Sequence, residues 1–192
     1  MSLPYTASTV MPDFPVTSEN VIQFWADAGP AAWFAKNEVF DAEFRERFLG
    51  THMAAARREL DHWADTPRGT LALLILLDQF PRNAFRGTGH MFATDSLALH
   101  FARLAKERHF IEAIDASLRA FMILPFEHSE SLDDQHIAVA LCEPLGGSTF
   151  DFAVLHREII QRFGRFPHRN AALGRISTQA ELDYLASGGF KG

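Results

Sequence analysis

Leu71-Ala72-Leu73-Leu74-Ile75-Leu76-Leu77-Asp78-Gln79-Phe80-Pro81-Arg82-Asn83 is the stretch on which the fold turns. Its first seven residues are all apolar and leave no polar face, so a helix built from them is surrounded by protein on every side. The run is far short of the roughly 18 residues that suggest a membrane span. Thr66-Pro67 stands just before it, an N-cap hydroxyl followed by a proline at the first helical position, where a missing N–H costs nothing. The expectation is a central helix opening at Thr66. Pro81 is expected to force the chain out of helix and to present Arg82 and Asn83 at its C-terminal end.

Outward from that helix the signals are helical throughout. Upstream, Ser18 reads as an N-cap ahead of Val21, Ile22, Phe24 and Trp25, and Phe40, Phe44, Phe48, Leu60 and Trp63 read as one long amphipathic helix bent at Gly50. Downstream, Asp95 precedes Leu97, Phe101 and Leu104. Ala113 to Leu124 is stopped by Pro125, and Ser131 opens another helix. Ser148 or Thr149 starts a helix that ends at Gly164, and Thr178 with Glu181 forms a capping box for a last helix closed by Gly188-Gly189. No segment shows a period of two between hairpin turns, so the fold class is all-α with about nine helices. Residues 1–17, with Pro4, Pro12 and Pro15, are expected as an extended N-terminal arm, and 18–192 as a single α-helical domain.

The chain has 192 residues, 47% hydrophobic and 22% charged, the composition of an ordinary globular domain rather than of a disordered or fibrous one. A net charge of −6 offers no broad positive field, which argues against nucleic acid and acidic membranes as partners. Cys142 is alone and cannot close an internal disulfide, and the first basic residue is Lys36, too late for the charged start of a secretory signal. A cytoplasmic location is the expectation; the oligomeric state is not readable.

The polar residues of interest follow helix ends. They fall in three segments: Asp78 to Asn83, Pro125-Phe126-Glu127-His128-Ser129-Glu130, and Gly164-Arg165-Phe166-Pro167-His168-Arg169-Asn170. The first and third echo one another, Phe80-Pro81-Arg82-Asn83-Ala84 against Phe166-Pro167-His168-Arg169-Asn170-Ala171 with one histidine inserted. Each segment carries charged groups without an adequate local partner, and such groups at buried helix ends need partners from elsewhere, so the three are expected to converge.

With these motifs, and with Arg86-Gly87 and Leu173-Gly174-Arg175, the chain resembles the bacterial family called domain of unknown function 924 from about Val21 to Phe190. The resemblance implies an α-helical, tetratricopeptide-like superhelix. It implies no particular activity.

Three readings of the charged segments compete. In the first, Arg82, Arg86, Arg165, Arg169 and Arg175 balance Asp78, Glu127, Glu130, Asp133 and Asp134 in an ion-pair network that locks helix ends and makes a purely structural protein. In the second, Asp78, Arg82, Asn83, His128, Glu130, His156, Arg165, His168, Arg169 and Asn170 line a cleft for a small anionic ligand or peptide, since guanidinium groups bind carboxylate and phosphate bidentately. This reading is preferred for function. The third is hydrolase-type acid-base chemistry using His128, Glu130 and His156, with Glu130 orienting an imidazole. Against it, Ser129 lies in no nucleophile elbow, and a serine adjacent to its histidine is not a triad. Nine histidines invite a metal, but none falls in a ligand spacing such as His-Glu-x-x-His, so neither metal nor cofactor is assigned. Cys142, in an apolar helical context, reads as a core residue.

Overall fold

The computed structural model describes residues 16–33 and 35–192, and among them there is no strand. Most of the proposed arm lies outside the described residues; of its last two, Val16 packs on the core and Thr17 is the N-cap of α1 (Ser18–Ala28). Thr17 takes the capping role expected of Ser18 because Asn20, three residues on, returns a hydrogen bond to its backbone N–H. The short α2 (Pro30–Trp33) follows. Helix α3 (Glu38–Ala56) runs unbroken through Gly50 and stops well before Trp63. It stops there because Arg58 sits at φ +66°, a left-handed conformation that no α-helix continues through, and Trp63 belongs to a 3₁₀ turn (Asp61–Asp65).

The buried run forms α4 (Pro67–Leu74), capped by the Thr66 hydroxyl on the Gly69 N–H as expected, then a π turn (Ile75–Gln79), then α5 (Phe80–Ala84). Pro81 therefore does not end the helix. A proline there offers no N–H and crowds the carbonyl four residues back, that of Leu77. The π turn widens the helix just before it, with the Phe80 N–H donating to the Ile75 carbonyl. Thr94 Oγ1 donates to the Leu77 carbonyl at 2.5 Å and His52 Nδ1 to the Leu76 carbonyl at 2.9 Å, so two side chains supply the donors that the ladder lacks.

After α6 (Asp95–Glu107) the chain turns through residues 113–119, where a helix was expected, and enters α7 (Ala120–Glu127) with Pro125 inside it. The helix outlasts its proline by two residues, and its end is capped from α8 (Leu132–Cys142): Gln135 Nε2 donates to the carbonyls of Phe126, Glu127 and Ser129. Helix α9 (Gly147–Phe163) starts after Gly146 at φ +63° rather than at Ser148 or Thr149, and ends at Gly164 in the left-handed conformation expected of it. Helix α10 (Gln179–Ala186) carries the Thr178 and Glu181 capping box. With α4, the π turn and α5 taken as one rod, the described residues hold nine helices.

Helix α4 is the centre of the packing and touches α1, α6 and α7, while the π turn and α5 lie against α3. Leu71 to Leu77, Trp25, Phe44, Phe80, Phe101 and Phe121 form the main core. A second, smaller cluster gathers Ile159, Ile160 and Phe166 under Phe163, Tyr184 and Phe190. From α6 to α9 each helix packs on the next.

Candidate functional site

A cleft of 320 Å³ opens where the first turn of α6, the end of α7 and the 165–175 segment meet, with Phe92, Asp95, His128, Glu130 and Arg169 in its wall. The second and third charged segments of the sequence reach its wall, and the first stands behind it, joined through Asp78 to His128 and through Arg82 to Asp95. The widened turn before Pro81 carries Asp78, the next helical turn carries Arg82, and the 3₁₀ turn Pro167–Arg169 carries Arg169. A larger groove of 660 Å³ between α1 and α3 is lined by Phe24, Phe40 and Phe48, with Glu43 and Arg47 at its edge, and none of the three segments contributes to it.

The charged side chains of the cleft wall and of the segment behind it form one chain of contacts. His128 Nδ1 meets Asp78 Oδ1 at 2.7 Å, and Asp78 Oδ2 accepts from Gln79 Nε2 at 2.6 Å. Arg82 Nη1 lies 3.1 Å from Asp78 Oδ1, and both terminal nitrogens of Arg82 fork onto Asp95 at 2.8 and 3.1 Å. Asp95 Oδ2 also accepts from Arg169 Nη1 at 3.1 Å. Burial pushes the Asp78 carboxyl up, but Arg82, His128 and Gln79 outweigh it and hold its pKa at about 2. Burial and the nearby Arg82 charge depress the His128 pKa more than Asp78 raises it, so the imidazole is neutral near pH 7.

Arg169 differs from Arg82. It is 7% exposed, and its guanidinium carbon sits 4.7 Å from the centroid of Phe92 and 4.6 Å from that of Phe166. Its one hydrogen bond goes to Asp95, and neither Nε nor Nη2 has a partner among the described residues. Burial lowers its pKa to about 10, with Asp95 opposing and Arg82 reinforcing the shift.

Other residues singled out in the sequence stand around this line or away from it. Glu130 reaches the cleft wall but does not orient an imidazole: it is forked by Arg175 at 2.7 and 3.0 Å and accepts the Phe166 N–H at 2.8 Å. The carboxylate that orients His128 is Asp78, because the π turn aims it there. His156 pairs with buried Glu127 at 3.2 Å, which also accepts from Cys142 Sγ at 3.4 Å. The His128 and His156 rings lie 6.4 Å apart. His168 packs on Phe166 and Phe190, and burial together with the Arg169 charge lowers its pKa to about 3. Arg165 is drawn off to Glu181, Asn83 to Arg86 and Asn170 to Ser177, so these three form supporting structure rather than cleft wall.

Two central residues were not legible as site residues. Asp95 reads in sequence only as an acidic residue in a first helical turn, and Phe92 as one of many aromatics. Among the described residues, no group of three or more His, Cys, Asp or Glu is placed to hold a metal ion, and no helix is long and apolar enough to cross a membrane.

Comparison with known proteins agrees with this architecture and adds no activity. The model of a family described as bacterial protein of unknown function (DUF924) matches residues 21–189. A solved structure of a protein of unknown function from Agrobacterium tumefaciens is similar at 50% identity, over 89% of this chain and 97% of that one, with a TM-score of 0.87. No curated protein matches.

Proposed function

The chain belongs to the bacterial DUF924 family, and from that premise we propose that it binds a small anionic ligand, a carboxylate or phosphate, at Arg169 in the cleft. One observation carries the reading: a guanidinium that is 93% buried and packed against two rings in the wall of an open cleft, whose Nε is buried without a partner and whose only hydrogen bond among the described residues is from Nη1 to Asp95. A buried donor left unpaired costs about 1 to 3 kcal/mol, more when charged, and an incoming carboxylate or phosphate oxygen removes that cost. The paired remainder, Arg82 with Asp78 and Asp95, and Arg175 with Glu130, then frames the site. We place this binding in the cytoplasm; the lone cysteine, Cys142, which is buried and unpaired, supports that compartment.

The test is thermal melting of the wild type and Arg169→Leu with and without a panel of small carboxylates and phosphates. The expected result is that at least one anion raises the wild-type melting temperature and leaves the variant unmoved. No shift with any anion, or an equal shift in both proteins, overturns the reading and leaves the network structural.

A further inference from the structure

We propose that the cleft is also catalytic, with His128 as a general base that activates water against a small carboxylate-bearing ester whose carboxylate sits on Arg169. The inference rests on the binding reading for where the ligand lies and adds a reaction to it.

The geometry begins with the π turn, which brings the 1%-exposed Asp78 carboxylate onto the Nδ1 side of His128. Arg82 and Gln79 occupy the same carboxylate and keep it ionised. An ionised carboxylate only accepts, so Nδ1 carries the proton and Nε2 carries the lone pair. His128 lines the cleft, and its Nε2 has no partner among the described residues. The charged and titratable groups that act on this ring are Asp78, Arg82 and Asp95, with His156 and His168 beyond; the charges together with burial leave it neutral and able to accept a proton.

We take water as the nucleophile, since the hydroxyl next in sequence to His128 and the thiol that shares Glu127 with His156 are both committed elsewhere. Ser129 Oγ donates to Asp134 Oδ2 at 2.7 Å, and the buried Cys142 thiol, pushed up by burial and by Glu127, donates to Glu127. An ester rather than a phosphoryl group follows from charge. Phosphoryl transfer spreads negative charge over three oxygens and draws on several cations, whereas Arg82 and Arg175 are already forked by carboxylates and Arg169 alone remains to hold one anionic group.

In the step itself, Nε2 takes a proton from water as the water oxygen bonds to the acyl carbon. The tetrahedral adduct then collapses, the bond from acyl carbon to alcohol oxygen breaks, and the proton on Nε2 passes to the departing oxygen. Ester and water become acid and alcohol, and nothing is oxidised or reduced. Asp78 is a positioning residue: it holds the tautomer and touches no reacting atom.

The experiment measures p-nitrophenol release from the mono-p-nitrophenyl esters of four- to six-carbon dicarboxylic acids, with p-nitrophenyl butyrate as the uncharged comparison and each buffer rate subtracted. In parallel, calorimetry follows binding of the corresponding free dicarboxylates. The wild type is expected to cleave a charged ester at least about tenfold better than the butyrate. His128→Gln is expected to lose about a hundredfold or more in kcat while still binding the dicarboxylate. Arg169→Leu should lose the preference for the charged ester. Asp78→Asn should lower kcat and displace the ionisation seen in the wild-type pH profile, which a merely structural role would leave in place. Dicarboxylate binding without cleavage of any ester overturns the catalytic inference alone, as does cleavage that survives in His128→Gln. Absence of dicarboxylate binding together with absence of cleavage overturns the inference and its premise together.

Discussion

The corners Phe80-Pro81-Arg82-Asn83 and Phe166-Pro167-His168-Arg169-Asn170 are spelled almost alike, and their arginines reach the same carboxylate, Asp95. They nonetheless differ in role. Phe80 is locked in the main core, 5.1 Å from Phe44 and 4.8 Å from His52, and Pro81 stays inside a helix whose stranded carbonyls find outside donors. Phe166 belongs to the small C-terminal cluster, and Pro167 opens a 3₁₀ turn at the cleft wall. Arg82 is held by two carboxylates and by the Asp78 carbonyl, whereas Arg169 shares one carboxylate and has nitrogens to spare. What separates the anchored arginine from the one proposed to bind an anion is therefore the number of partners delivered to it, not its own identity or its neighbours in sequence.

The sharpest way to break this comparison is Arg82→Leu. Removal of that guanidinium strands buried Asp78 and leaves Asp95 with Arg169 alone, and the expected loss is about 3 to 5 kcal/mol in urea unfolding. A loss under about 1 kcal/mol would mean that Arg82 is no anchor. The next largest effect belongs to Thr94→Val, which leaves the Leu77 carbonyl without its hydroxyl donor at a cost of about 1 to 3 kcal/mol. In a Pro81→Ala background the restored N–H lets the helix satisfy itself, so a double-mutant cycle should show the Thr94→Val cost shrinking.

Acidity gives a third test. His168 has its pKa lowered from 6.5 to about 3 in the folded protein, so below pH 6.5 the unfolded chain binds the proton that the native state refuses. Stability should then fall as pH drops from 6.5 toward 3, by about 1 kcal/mol per pH unit at most once the ring's partial exposure is allowed for. The lowered pKa values of His128 and His52 act in the same direction. His168→Phe should flatten part of the slope between urea midpoints at pH 7 and pH 5; an unchanged slope would show that His168 is not the group concerned. Asp78 contributes at the opposite end: its pKa lies at about 2 against 3.8, so its stabilisation is present above pH 3.8 and lost as pH falls through about 2, below the range compared.

The smallest effect is expected of Arg169→Leu. Asp95 keeps its fork from Arg82 and the leucine keeps apolar contact with Phe92 and Phe166, so the stability change should be about 1 kcal/mol or less while anion binding disappears. A loss as large as that of Arg82→Leu would erase the distinction between the two corners.

The sequence by itself determined most of the helices and the burial of the central one, though not the bounds of the helix from Phe40 nor the turns over residues 113–119. Caps such as Thr66-Pro67 and Thr178 with Glu181 satisfy orphan N–H groups within one turn, and a run such as Leu71 to Leu77 has only one way to leave water. It also singled out three segments whose charged groups at helix ends require distant partners; two of them reach the cleft wall and the first pairs with that wall from behind. The tertiary structure decided which partners those are. Pro81 was expected to break its helix, and it does not, because Thr94 and His52, from other elements, replace the missing donor. Glu130 was expected to orient a histidine, and Asp78 does so, because a π turn rotates that carboxylate toward His128. Asp95 looked like ordinary helix-start chemistry, yet both arginines end on it. Cap and period signals are settled by atoms within a few residues of one another. The pairing of a buried charge is settled by whichever opposite charge the packing of whole helices brings within about 3 Å, and no local pattern encodes that distance.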